Sequence, residues 1–311
     1  MKKETSLEIT AHISEIIAKH SPCYSYTEEE LEKAKETYSE EKLEALRNEG
    51  YYFGDFERFY ITFRFCDALN LWNRADSDYL KKLFRQTKKM DRSAFLNDPY
   101  LKAVPLRNKM RNNVLLSHGE YDRGEFFQAG MPRLEEEIVV PNLGFFTKKT
   151  CFPAVYEGNR PWVSVCPSEV SSMAPDLSAA RGRTLVLGLG LGYYPFRIAS
   201  SPKVKSITVI ERNPEIIALF REEILPFFPD KKKIRLICAD AFDFLAETEP
   251  GEFDFCYADI WEGWQDGSEA YCRIRPHEKR LYDCEFRYWI EKEILWYLKN
   301  IQSEKSELEF L

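Results

Sequence analysis

Apolar side chains recur at Ile9, Ile13, Ile16 and Ile17, one stripe of a helix spanning Leu7 to Lys19. Thr27 followed by Glu28, Glu29 and Glu30 marks a helix start, a capping hydroxyl ahead of acids at the positive end of the dipole. That helix continues through Leu31, Ala34, Tyr38 and Leu43, with a break near Ser39, until Gly50 ends it. Phe56 to Trp72 is richer in rings (Phe59, Tyr60, Phe63, Phe65) and predicts a small core of its own. Asp76 and Ser77 cap a further helix through Tyr79, Leu80 and Leu83. Residues 1–130 therefore read as a helical N-terminal domain. Lys81, Lys82, Lys88 and Lys89 read as a solvated face, because Asp78 and Asp91 flank them.

The pattern changes after Pro132. Glu137 to Val140 and Phe145 to Thr147 flank Pro141-Asn142-Leu143-Gly144, which predicts a hairpin. A second hairpin is predicted by Ala154 to Tyr156 and Trp162 to Val165 around Glu157-Gly158-Asn159-Arg160. Pro167-Ser168-Glu169 then opens a short helix. From Arg183 the chain alternates: strands at Thr184–Leu187, Ser206–Ile210, Ile234–Cys238 and Phe253–Ala258. Helices are expected from about Tyr194, at Pro214–Phe220, at Ala241–Glu247 and at Arg287–Leu298. Near-continuous apolar strands separated by helices predict a mostly parallel sheet covered on both faces. The fold class expected for residues 131–311 is α/β, a Rossmann-like doubly wound sheet preceded by β-hairpins.

With 311 residues, 44% of them hydrophobic, the chain is long enough for two domains with packed cores. The net charge is −7, from 44 basic against 51 acidic residues, which argues against general nucleic-acid binding. Eight cysteines without Cys-x-x-Cys spacing, and only four histidines, argue against a zinc site; the thiols read as small buried hydrophobes. Glu4 and Glu8 stand where a signal peptide needs apolar residues, and Thr184–Phe196 is too short to span a bilayer. The expectation is a cytoplasmic protein without a membrane partner, with room for a homo-oligomer.

The chemistry concentrates at the predicted strand ends. Gly188, Gly190 and Gly192 follow the first strand of the alternating half, where ligands bind in open parallel sheets and where missing β-carbons let a ligand lie against the backbone. Glu211 ends the second strand, 19 residues beyond Gly192, where a carboxylate can accept both hydroxyls of a ribose. Asp240 ends the third strand, placed to accept from an adenine amino group, to cap the following helix, or both. Asp259 ends the fourth.

These residues resemble the class I S-adenosylmethionine-dependent methyltransferases, and within them the spermidine-synthase-like branch, over roughly residues 135–300. The resemblance implies S-adenosylmethionine as cofactor. The glycine loop would back its methionine part, Glu211 would hold the ribose, Asp240 and the amide of Ala241 the adenine, and Asp259 would face the reaction centre. The chain departs from the pattern in several places. Val186 stands where the superfamily often has an acid, and Leu191 where the branch often has an aspartate. Asp259 to Gly267 replaces a proline-bearing segment. Only 13 residues follow Leu298, too few for the usual final antiparallel pair, so the sheet should end early or be covered.

Methyl transfer from a sulfonium requires a positioned nucleophile and, in many cases, removal of its proton. Asp259 is the leading candidate base, with Glu262, Asp266 and His277 as further candidates. Acids beside Tyr257, Trp261 and Trp264 suit a cationic amine. The reading is a methyltransferase acting on an unidentified small-molecule or protein nucleophile. Its alternatives are an aminopropyltransferase of the spermidine-synthase type and a non-catalytic nucleoside-binding protein. A dehydrogenase fingerprint would need glycine at Tyr193.

Overall fold

A computed structural model describes residues 5–18, 26–105, 107–135, 137–158 and 160–308, apart from the side chains of 131, 134, 135 and 300–308. Glu4, Lys19 and Asn159, which figure in the expectations above, and Cys23, one of the eight cysteines, lie outside the described residues. The chain divides into two units, residues 1–97 with 120–151 and residues 98–119 with 152–311.

The first unit opens with helices α1 (Ser6–Ala18), α2 (Glu28–Thr37), α3 (Glu40–Glu49), α4 (Phe56–Ala68), α5 (Leu71–Arg74) and α6 (Ser77–Gln86), then strand β1 (Lys88–Lys89) and helix α7 (Arg92–Leu96). Their ends follow the cap chemistry of the sequence. Thr27 and Glu30 form a reciprocal capping box on α2, Ser39 caps α3, and Gly50 closes α3 in the left-handed conformation at φ +87°. Ile9 and Ile13 of α1, Phe59 and Phe65 of α4, and Leu83 of α6 are buried in one aromatic-rich core.

Strands begin earlier than expected. Helix α8 (Pro99–Ala103) is followed by β2 (Lys109–Arg111), β3 (Val114–Tyr121), β4 (Phe126–Glu135) and β5 (Ile138–Phe145). The apolar runs here are too short for periodicity to separate strand from helix. The hairpin predicted around residues 141–144 is absent, because β5 runs straight through Pro141-Asn142-Leu143-Gly144. Val140 to Phe146 are all buried, and Pro141 falls where the register between β4 and β5 slips, which accommodates its missing N–H. Strands β1, β5 and β4 form a three-stranded sheet.

In the second unit β6 (Thr150–Glu157) and β7 (Arg160–Ser164) make the second predicted hairpin and share a four-stranded sheet with β2 and β3. Helix α9 (Pro167–Leu177) follows. The alternating half then gives β8 (Gly182–Leu187), α10 (Tyr193–Ala199), β9 (Val204–Glu211), α11 (Pro214–Leu219), β10 (Ile234–Cys238), α12 (Ala241–Glu247), β11 (Phe255–Ala258), α13 (Trp264–Arg280), β12 (Glu285–Tyr288) and α14 (Glu291–Leu308). Five strands in the order β10-β9-β8-β11-β12 form an all-parallel sheet. With three separate sheets, of which this parallel one is the largest, the chain is α/β and its sheet arrangement as a whole is mixed.

Two expectations need correction near the end. Arg287 lies in strand β12, and the last helix starts at Glu291. Residues 264–280, where no helix is expected from the sequence, form the 17-residue helix α13, with Pro276 inside it. The parallel sheet ends early, at β12, among the described residues. Cys66, Cys166 and Cys256 are buried as expected, whereas Cys238 and Cys272 are exposed. No helix among the described residues is long and apolar enough to cross a membrane.

Candidate functional site

Strand order reverses between β8 and β11, so the loops after these strands diverge and leave a crevice at their carboxyl ends. A cavity of about 340 Å³ opens there, within the size range of small-molecule sites. The glycine loop follows β8, with Gly188, Gly190 and Gly192 at φ +94°, +50° and +71°. A β-carbon on Gly188 would meet the Asp259 carbonyl oxygen at 1.9 Å, so this glycine lets the first and fourth strand ends close on each other. Gly188 and Gly190 line the cavity. Gly192 does not; it stands at the start of α10, where a β-carbon would meet the Phe220 ring at 2.3 Å.

A support that sequence reasoning missed holds this loop from α8. The hydroxyl of Tyr100, fully buried, donates to the Leu191 carbonyl at 2.6 Å, and Asp98 accepts from Tyr193 at 3.0 Å and pairs with Arg197. Nothing in the local pattern of Asp98-Pro99-Tyr100 points 91 residues ahead.

Glu211 is 7% exposed and grips the loop from the end of β9. Its Oε2 accepts from the Leu189 N–H at 3.1 Å and its Oε1 from the Asn213 N–H at 2.8 Å. Each oxygen retains a lone pair, so the carboxylate is fixed in place and can still accept ligand hydroxyls. Asp240 caps α12, its Oδ1 accepting from the Phe242 and Asp243 N–H groups at 2.8 and 3.3 Å, and Ala241 beside it also lines the cavity. Arg273 of α13 lies over the Phe242 ring, 3.5 Å from its centroid, and closes this side.

Asp259 continues the β11–β8 ladder, its N–H donating to the Leu187 carbonyl at 2.9 Å. Asp259 and Glu169, the latter in the first turn of α9, are half-buried as residues with their carboxyl groups enclosed. Burial pushes the Asp259 carboxyl up to about 7. Burial, together with the charge of Asp259, pushes Glu169 up to about 8, against hydrogen bonds from the Ser164 N–H and hydroxyl. Sequence reasoning took Glu169 only as part of a helix start.

The other candidates are engaged elsewhere. Glu262 pairs with Arg160, and Asp266 accepts from the Glu262 and Gly263 N–H groups at 2.8 and 2.9 Å, although both residues reach the cavity rim. His277 lies outside the lining, against Arg280; burial and that guanidinium lower its pKa. Trp264 is also outside, packed on Tyr297. Tyr257 and Trp261 do line the cavity, and each carries a buried polar atom without a hydrogen-bond partner, Tyr257 Oη and Trp261 Nε1. The Tyr257 ring is stacked on Tyr194, centroids 3.7 Å apart.

No family model matches this chain, and no curated protein matches it significantly. Among solved structures, a precorrin-8w decarboxylase from Methanobacterium thermoautotrophicum overlaps 39% of this chain and 61% of its own at 19% identity and a TM-score of 0.29. A probable spermidine synthase from Corynebacterium glutamicum overlaps 51% and 53% at 13% identity and 0.32. Human methyltransferase-like protein 13 in complex with SAH overlaps 29% and 41% at 24% identity and 0.23. The chain thus spans between two fifths and three fifths of these proteins, and overlaps this partial do not bear on its function.

Proposed function

We propose that the chain is an S-adenosylmethionine-dependent methyltransferase acting on a small-molecule or protein nucleophile, with a Rossmann-like second unit as the catalytic part. One observation carries the reading. Glu211, buried at the end of β9 and bonded to the glycine loop, shares a single cavity with Asp240 and Ala241 on one side and Asp259 on the other. That is a seat for a ribose flanked by one for adenine and one for a reacting group. The partnerless Tyr257 Oη and Trp261 Nε1 support a polar ligand, because buried polar atoms otherwise find partners.

When bound, S-adenosylmethionine supplies a methyl group activated by a sulfonium. Gly188 and Gly190 would let it lie against the backbone, Glu211 would accept its ribose hydroxyls, and Asp240 with the Ala241 amide would hold adenine. Asp259 would take the proton of the nucleophile at its carboxylate; a pKa of about 7 suits a base working near neutral pH. The acidic rim of Glu262, Asp266 and Glu269 favours a cationic acceptor and keeps an aminopropyltransferase as the second reading. Calorimetric titration separates the readings. Heat with S-adenosylmethionine and S-adenosylhomocysteine supports the first, preference for decarboxylated S-adenosylmethionine supports the second, and binding of NAD alone overturns both.

A further inference from the structure

Tyr257 stands inside β11, with β8 on one side and β12 on the other, and is the register partner of Val186. Register partners point to the same face of a sheet, so the Tyr257 ring rises beside Val186, two residues ahead of Gly188. That face carries α10. Tyr194, in its first turn, lies flat on the Tyr257 ring, with centroids 3.7 Å and planes 4° apart. Tyr194 is itself tied down, its hydroxyl donating to the Asp176 carbonyl at 3.0 Å. Stack and strand together fix the Tyr257 ring in one orientation. Its Oη is buried, on a residue that lines the cavity, and has no hydrogen-bond partner among the described residues. A buried hydroxyl without a partner costs stability. This oxygen is therefore held in place for a group that the protein itself does not supply.

The charges around the oxygen select that group. Burial raises the Tyr257 pKa well above its ordinary value, and Asp259, Tyr194, Asp176 and Glu169 push the same way, so the hydroxyl keeps its proton among carboxyl groups. Asp259 and Glu169 line the cavity with it. The two guanidinium groups of the lining are placed elsewhere, Arg212 next to Glu211 and Arg273 over the Phe242 ring, at the ribose and adenine end. A ligand carboxylate beside Tyr257 would meet like charge, and an ammonium group opposite charge. Val186 and Leu191, on either side of the first two loop glycines, offer no polar side-chain atom to such a group. We propose that Tyr257 is a specificity-determining residue for the amino-acid part of the cofactor, its Oη accepting a hydrogen bond from the α-ammonium group. The assignment rests on the S-adenosylmethionine reading and deepens it.

Tyr257→Phe tests it, because that change keeps the ring and its stack and removes only the oxygen. Calorimetric titration of the parent and the variant uses three ligands: S-adenosylhomocysteine, its decarboxylated form and methylthioadenosine. The first two carry the ammonium group and should bind the variant about tenfold or more weakly, the loss of a hydrogen bond to a charged group. Methylthioadenosine lacks it and should bind both proteins alike. The urea midpoint of the variant should be unchanged or raised, since the hydroxyl it lacks was unsatisfied. Equal losses on all three ligands, with a lowered midpoint, would mark a packing role and overturn the proposal. A loss on S-adenosylhomocysteine alone would move the contact to the carboxylate and overturn the ammonium assignment. Unchanged affinities, with a parent that binds, would overturn the role of Tyr257 and leave the cofactor reading standing. A parent that binds none of the three would overturn both.

Discussion

Asp254 and Asp259 bracket strand β11, five positions apart, and the chain treats them in opposite ways. At the amino end of the sheet Asp254 accepts from the Arg183 N–H at 2.6 Å and from its guanidinium at 2.9 and 3.1 Å, which holds its carboxyl down at about 2. Glu285, the first residue of β12, is likewise held low, paired with Arg181 and Arg287. At the carboxyl end Asp259 is enclosed without a cation and sits at about 7. One residue type therefore yields a closed, satisfied charge at one edge and an unsatisfied one at the other. The difference separates holding the sheet together from readiness for a ligand, and perturbed groups of the second kind gather at functional sites.

The largest expected effect is at the unsatisfied end. Asp259→Asn keeps the size and removes the base, so turnover should fall about 10²–10⁴-fold with cofactor Kd little changed. Its effect on stability should have the opposite sign. The unfolded chain ionises Asp259 near about pH 3.9 while the folded chain keeps the proton to about 7, so stability falls as pH rises between these values. Asp259→Asn should therefore stabilise the protein at pH 8, by up to about 4 kcal/mol in urea melts. Turnover at the parent rate would remove Asp259 from the chemistry.

Next in size is the support of the loop. Tyr100→Phe leaves the buried Leu191 carbonyl without its donor, at a cost of about 1–3 kcal/mol. Urea unfolding should show that loss together with weaker cofactor binding, since the carbonyl belongs to the glycine loop. An unchanged midpoint would make the contact dispensable.

The smallest effect belongs to the paired end. Arg183 and Asp254 are 47% and 38% exposed, so Asp254→Asn should cost less than about 1 kcal/mol. The direction of its pH dependence reverses that of Asp259. Asp254 stays ionised below the value at which the unfolded chain takes up a proton, so its contribution is complete above about pH 4 and is lost as pH falls through about 2. Acid melts of the parent and Asp254→Asn should converge there.

The end of the sheet that carries the site was the more legible one. Strands β8 to β11 are buried runs closed by glycine or acid, so their carboxyl ends, and with them Gly188, Glu211, Asp240 and Asp259, could be placed within a residue or two. What escaped was set by distant packing. Helix α13 hides a stripe of Gly267, Tyr271 and Ile274 behind Pro276 and a polar surface, and Gly267 is what lets it lie on the Trp261 ring. Glu169 and Tyr100 reach the site from elements far away in sequence, and Pro141 read as a turn because its burial in β5 depends on neighbours from other elements. Local pattern reports period and punctuation; it does not report which carboxylate is left without an arginine.

The central claim is that the unsatisfied end holds S-adenosylmethionine. The direct measurement is calorimetric titration of S-adenosylhomocysteine into the parent protein, Asp254→Asn and Glu211→Ala side by side. The account predicts micromolar-range binding by the parent, the same affinity in Asp254→Asn, and a loss of roughly tenfold or more in Glu211→Ala, as expected for a buried charge-assisted hydrogen bond. No heat from the parent at millimolar ligand, or equal affinities in all three proteins, would contradict it.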